Sequence, residues 1–176
     1  MSVNYLLAYA TRYGSTEEVA QAIGAALAEA DISVDCRLLR EVHTLSDYNA
    51  LIIGAPLFMF RWHKDALRFL SRHRSSLATL PTAVFALGPV HDPYDEKEWR
   101  DSQNQLDREL SKFPWFKPVV VTMFGGKYDP GSLRFPLKML AGDEPASDIR
   151  DWKAIRSWAA ELPVNLSMQF PKSSRS

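Results

Sequence analysis

At 176 residues, with 46% of them apolar or aromatic and 24% charged, the chain is long enough for one sizeable core and has the composition of an ordinary globular domain. Its 21 basic residues are matched by 21 acidic ones, so no overall field draws it towards nucleic acid or an acidic surface. A single cysteine, Cys36, excludes an internal disulfide; with no long uncharged apolar stretch and no signal-peptide pattern, we expect a cytoplasmic protein with at most peripheral membrane contact.

Residues Val3 to Ala10 form a short, almost wholly apolar run, the pattern of a strand buried on both faces. The loop Thr11-Arg12-Tyr13-Gly14-Ser15-Thr16 joins it to a helix with Val19, Ala22, Ile23, Ala26 and Leu27 on one side. Ile32 to Leu39 alternates apolar and polar residues, as a strand near a sheet edge does, and Cys36 within it is expected as a buried structural thiol. After a short helix or loop around Glu41 to Asp47, Leu51-Ile52-Ile53-Gly54 is a third strand.

Trp62, Ala66, Phe69 and Leu70 share the inner face of a helix from about His63 to Ser75, and Pro81 to Leu87 is the fourth strand. Trp99, Gln103, Leu106, Leu110 and Phe113 mark a further helix that Pro114 closes, and Pro118 to Phe124 is the fifth strand. Trp152, Ile155, Ala159 and Leu162 trace the last helix, and from Pro163 the chain loses its periodicity. Strands alternating with helices predict one α/β domain over residues 1–162, a parallel sheet covered on both faces, followed by a flexible tail over 163–176.

Ligands of such sheets lie outside the carboxyl ends of the strands, so the loops there are the candidates for chemistry. In the first, Gly14 eases a tight turn, Thr11, Ser15 and Thr16 offer hydroxyls, and Arg12 adds the only full positive charge. With the first amides of the helix behind them, these residues read as a cradle for one phosphate. They read equally as an ordinary helix start, because Ser15 and Glu18 have capping-box spacing. The loop has neither the Gly-Lys-Ser/Thr of a Walker loop nor the Gly-x-Gly-x-x-Gly of a dinucleotide fingerprint, which favours a monophosphate ligand.

The second loop, Ala55-Pro56-Leu57-Phe58-Met59-Phe60-Arg61-Trp62-His63, gathers three aromatics where exposure normally disfavours them. Phe58 and Phe60 suit stacking on a planar ring, whereas Trp62 also fits the inward face of the helix that follows and reads mainly as core. Gly88-Pro89-Val90-His91-Asp92-Pro93-Tyr94-Asp95 supplies an opposite wall, with His91 a weak candidate for acid–base chemistry and Tyr94 a candidate ring contact. The histidines and Cys36 have no metal-ligand spacing, so no metal site is expected.

Tyr9-Ala10-Thr11-Arg12-Tyr13-Gly14-Ser15-Thr16, Gly54-Ala55-Pro56, Gly125-Gly126 and Asp151-Trp152 together resemble the flavodoxins, in particular the flavodoxin-domain group that includes menaquinone-dependent protoporphyrinogen dehydrogenases. The likeness runs from about Val3 to Leu162. It implies a flavodoxin-like three-layer sandwich with a five-stranded parallel sheet in the order 2-1-3-4-5, and FMN as cofactor. By the same resemblance, Thr11 to Thr16 hold the FMN phosphate, and residues 56–62 and 88–94 flank the isoalloxazine.

Two departures accompany the likeness. Phe60 stands where relatives usually carry a small residue, which hinders the backbone movement that stabilises a one-electron-reduced flavin. The neutral balance also departs from the strongly acidic composition of shuttling flavodoxins. The leading expectation is an FMN-dependent oxidoreductase acting on a small molecule, a porphyrinogen or a quinone. The alternatives are an FMN electron carrier serving a dedicated redox protein and a flavodoxin-like domain that has lost its flavin. The segment Gly125 to Gly142, with Lys127, Arg134 and Lys138 among apolar residues, is expected to pack on the sheet as an amphipathic helix; the resemblance offers contact with membrane or porphyrin instead.

Overall fold

Residues Tyr5 to Tyr9 of β1 (Asn4–Tyr9) are all buried, because a strand pairs on each side and a helix layer covers each face. The computed structural model describes residues 3–59 and 61–168, so the expectations placed on Phe60 and on residues 169–176 lie outside the described residues. With β2 (Ser33–Leu38), β3 (Ala50–Phe58), β4 (Thr82–Leu87) and β5 (Val120–Phe124), β1 forms a five-stranded parallel sheet in the order β2-β1-β3-β4-β5. This is the flavodoxin-like order expected from the sequence.

Strand alternation divides the core in two. Tyr5, Leu7 and Tyr9 face α1 (Ser15–Glu29) and α4 (Trp152–Met168), where Val19, Ile23, Leu27, Ile155 and Leu162 are fully buried. Leu6 and Ala8 face α2 (Lys64–Arg72) and α3 (Glu96–Ser111), which contribute Ala66, Phe69, Leu70 and Leu106. Gly54 is required by this packing: a Cβ there would lie 2.0 Å from the Phe85 ring.

The chain leaves β1 for β2 on one side and returns with β3 on the other, so the strand order reverses between β1 and β3. The Ala10 amide donates to the Gly54 carbonyl at 2.9 Å and carries the pairing to the carboxyl ends of both strands. In open parallel sheets ligands occupy the crevice at such a reversal, a rule for which flavodoxins are themselves a standard example.

Four details differ from the sequence expectations. α4 continues past Pro163 to Met168 with Leu166 buried, so the folded domain passes residue 162: Pro163 loses one amide bond, and Leu166 gains a place in the core. Cys36 is exposed rather than buried, because β2 is the edge strand. Desolvation around its sulfur, with Asp35 and Glu17 nearby, still pushes the thiol up to about 11. β3 runs on to Phe58 and pairs with a two-residue strand, Arg61–Trp62, making the second loop the tip of a hairpin. Finally, residues 125–142 do not form a helix packed on the sheet: the only α-helix in this stretch among the described residues is Leu137–Leu140, with no buried residue, and Phe135, Met139 and Leu140 are exposed.

His73, at the end of α2, is buried against the Phe69 ring with its Nε2 unpaired among the described residues. Burial holds His73 and His63 below the ordinary histidine value of 6.5. A histidine kept neutral by the fold takes its proton more readily in the unfolded chain. Its stabilising contribution is therefore fully present above about pH 6.5 and is lost as pH falls through the lowered folded value. Urea unfolding midpoints are expected to drop between about pH 7.5 and about pH 5.5, and to drop less in His73→Gln. An unchanged slope in the variant would contradict this assignment.

Candidate cofactor site

Helix α1 starts without a side-chain cap. Its N-cap is Gly14, held left-handed at φ 92°, and the Gly14 amide donates to Thr11 Oγ1 at 2.9 Å. The capping box anticipated at Ser15 and Glu18 does not form, because Ser15 is already helical and the Glu18 carboxylate accepts from Arg150 at 2.6 Å. The amides of Ser15, Thr16 and Glu17 have no carbonyl one turn earlier to accept from them. Thr16 is fully buried, and its Oγ1 has no hydrogen-bond partner among the described residues. A buried unpaired hydroxyl costs about 1–3 kcal/mol, and an acceptor brought in by a ligand removes that cost. Thr11 Oγ1 accepts from Gly14 and keeps its own proton free to donate. These features fit a phosphate better than an ordinary helix start.

Arg12 connects the two loops, since its guanidinium lies 4.1 Å from the centre of the Phe58 ring and 5.8 Å from that of Tyr13. Next to this stack opens a cavity of about 480 Å³, a size suited to a small organic cofactor. Arg12, Tyr13, Ser15, Pro56, Leu57, Phe58, Met59, Gly88 and Val90 line it, which brings together residues from all three loops singled out in the sequence. Met59 stands at φ 47°, an uncommon conformation for a long side chain, at the hairpin tip on the cavity wall.

Other anticipated residues fall elsewhere. Thr11, Gly14 and Thr16 lie at the start of α1 and do not line the cavity. Trp62 is 1% exposed, and its indole donates to the Ala55 carbonyl at 3.1 Å, so it closes the core beneath the loop instead of touching a ring. Pro89 is buried and accepts from the Gly126 amide at 2.7 Å. Tyr94 is exposed, with its ring centre 5.9 Å from that of Trp99, and the exposed His91 does not line the cavity either. The catalytic candidate therefore finds no support in its position.

Two contributors escaped the sequence reading. Lys97, Glu98, Asp101, Ser102 and Gln105 present the polar side of α3 to the cavity, next to Asp95, the last residue of the third loop. Glu98 is the most directed of them: its two carboxylate oxygens accept from the amides of Val90 and His91, both at 3.1 Å, and fix the wall. The remaining lip comes from Gly126, Lys127, Tyr128, Asp129, Ser132 and Leu133. Arg150 lies behind the cradle. Its hydrogen bonds hold Asp148 below the usual carboxylate range, and its own pKa is raised chiefly by Asp148. No local motif reveals a contact that spans 132 residues of chain.

Residues 6–139 match the family model of the flavodoxin domain. The chain belongs to this flavodoxin-domain family. Among its relatives is the protoporphyrinogen IX dehydrogenase [quinone] of Escherichia coli (strain K12), 23% identical over 89% of this chain and 93% of that protein. The protein of the same name from Leishmania major is 22% identical, covering 89% of this chain and 73% of its own length. Among solved structures, a flavodoxin from the domain Archaea superposes with a TM-score of 0.58 at 12% identity, covering 94% of this chain and 99% of that one. This flavodoxin domain therefore has the flavodoxin-like sheet order, with an uncapped helix start where the strand order reverses.

Because a Cβ at residue 14 would meet nothing within 4 Å, Gly14→Ala tests the turn alone. The left-handed backbone predicts a loss of about 1–2 kcal/mol in unfolding free energy, read by urea denaturation. An unchanged stability would show that the loop does not hold this conformation.

Proposed function

We propose that this chain is an FMN-dependent oxidoreductase that acts on a small redox substrate, a porphyrinogen or a quinone, in a reducing cytoplasm. The observation that carries the reading is the buried, unpaired Thr16 hydroxyl at an uncapped helix start, one loop away from a cavity with an aromatic wall. The names of the curated relatives supply the substrate class. Bound FMN would supply hydride or stepwise electron transfer, chemistry that the side chains here lack.

The protein's own part is binding, orientation and tuning. Thr11, Ser15, Thr16 and the first-turn amides hold the phosphate, while Phe58, Met59 and Val90 enclose the ring. Glu98 places a carboxylate on the ring wall and so disfavours added negative charge on a reduced cofactor. The polar side of α3 and the lip at residues 127–133 extend the cavity beyond the ring walls, which favours an enzyme that admits a substrate over a carrier that only exposes a flavin edge. The balanced net charge points the same way, since carriers depend on charge to steer towards their partners.

Purified protein mixed with FMN and desalted is expected to retain the flavin absorbance, and anaerobic photoreduction is expected to proceed without abundant one-electron-reduced flavin. Abundant accumulation would favour the carrier, and loss of all flavin on desalting would contradict FMN binding. Thr16→Val separates cradle from fold by the signs of its effects. It is expected to weaken FMN binding at least roughly tenfold while leaving the ligand-free protein equally stable or up to about 1 kcal/mol more stable. Unchanged affinity in the folded variant would remove the phosphate assignment.

A further inference from the structure

The Arg150 side chain is 3% exposed and directs its donors at three groups. Nε and Nη2 grip the two oxygens of Asp148 at 2.8 and 2.6 Å. Nη1 reaches Glu18 Oε2 at 2.6 Å and the Ser15 carbonyl at 3.3 Å, both in the first turn of α1. Asp148 belongs to the short strand Ser147–Asp148, which pairs antiparallel with Lys127–Tyr128 at the lip of the cavity. From that strand the Ser147 hydroxyl donates to the Val90 carbonyl. The Ile149 amide donates to Gly126 at 3.1 Å, and the Gly126 amide donates to Pro89 at 2.7 Å.

Directional bonds thus run without a break from Ser15, at the phosphate end of the cavity, to Val90, at its ring wall. We infer that Arg150 is a positioning residue that sets the spacing between phosphate cradle and ring wall, and that this spacing selects a flavin carrying a phosphate. The inference rests on the FMN reading above. A ligand that must satisfy two subsites at once loses affinity when their separation loosens, whereas a ligand that uses one subsite does not. Two carboxylates oppose one guanidinium in this cluster, so it does not attract anions by net charge. Its effect is geometric, and only a planar fork with several fixed donors can make it.

The test compares FMN with riboflavin, which has the ring and no phosphate, by flavin fluorescence titration. In Arg150→Met, FMN affinity is expected to fall roughly tenfold while riboflavin affinity stays within about twofold, and Arg150→Lys recovers little of the loss. Removing the cation also leaves Glu18 and Asp148 near the phosphate, so the neutral triple variant Glu18→Gln/Asp148→Asn/Arg150→Met separates the causes. The loss persists there if geometry is responsible; recovery of FMN affinity would overturn the inference. An equal fall for both flavins would overturn it too, as the mark of general structural damage.

Hydrogen exchange on the ligand-free protein reads the strut without any flavin. Arg150→Met is expected to speed exchange together at residues 15–18 and 88–91 while the amides of β3 hold. Faster exchange confined to residues 147–150 would overturn the inference. A native chain that binds neither flavin would overturn the FMN reading and the phosphate selectivity with it, and the exchange result then decides the mechanical link alone.

Discussion

The reversal of strand order between β1 and β3 is the constraint on which everything else depends. Because these two strands pair in parallel as far as the Ala10–Gly54 hydrogen bond, residues 11–14, which leave the sheet, start beside the extension of β3 over residues 56–59. One segment turns into α1 and offers amides and hydroxyls; the other turns back on itself and offers a ring and a thioether. Arg12 over Phe58 is the contact this adjacency creates, and the cavity opens beside it. Burial of β1 on both faces makes the arrangement rigid, since neither segment can shift without disturbing a packed layer.

Local costs gather at this same edge. Helix α1 gives up a side-chain cap, Thr16 keeps a buried hydroxyl unpaired, and Met59 adopts a left-handed backbone. The glycine N-cap costs roughly a few tenths of a kcal/mol and the other two about 1 kcal/mol each, and all three lie at the start of α1 or on the cavity wall. Similar costs also occur away from the site, at the buried His73 Nε2 and the left-handed Asp31, whereas α2 and α3 are capped by the side chains of His63 and Asp95. A fold that spends stability where a ligand would recover it is behaving as binding sites do.

The sequence made the architecture legible because strand and helix periodicity directly record which faces are buried. Val19, Ile23 and Leu27 mark the inner face of α1 whatever else the chain does. The cradle was legible as well, since its residues are contiguous, although sequence could not tell an open cradle from a capping box. That distinction depended on Glu18 being claimed by Arg150, a partner far away in the chain. The α3 wall was missed for a related reason: Glu98, Ser102 and Gln105 read as a solvated face until the fold sets them opposite the ring loops. Trp62 shows the opposite case, where an aromatic in a site-bearing loop serves the core, and Cys36 shows that an apolar run says little about burial when its strand lies at the edge.

The placement of flavin is tested most directly by a crystal structure of the protein grown with FMN. The phosphate is expected within hydrogen-bonding distance of Thr16 Oγ1 and the first-turn amides of α1, with the ring lying between Phe58 and Val90. A phosphate bound elsewhere, with Thr16 Oγ1 still unpaired, would contradict it.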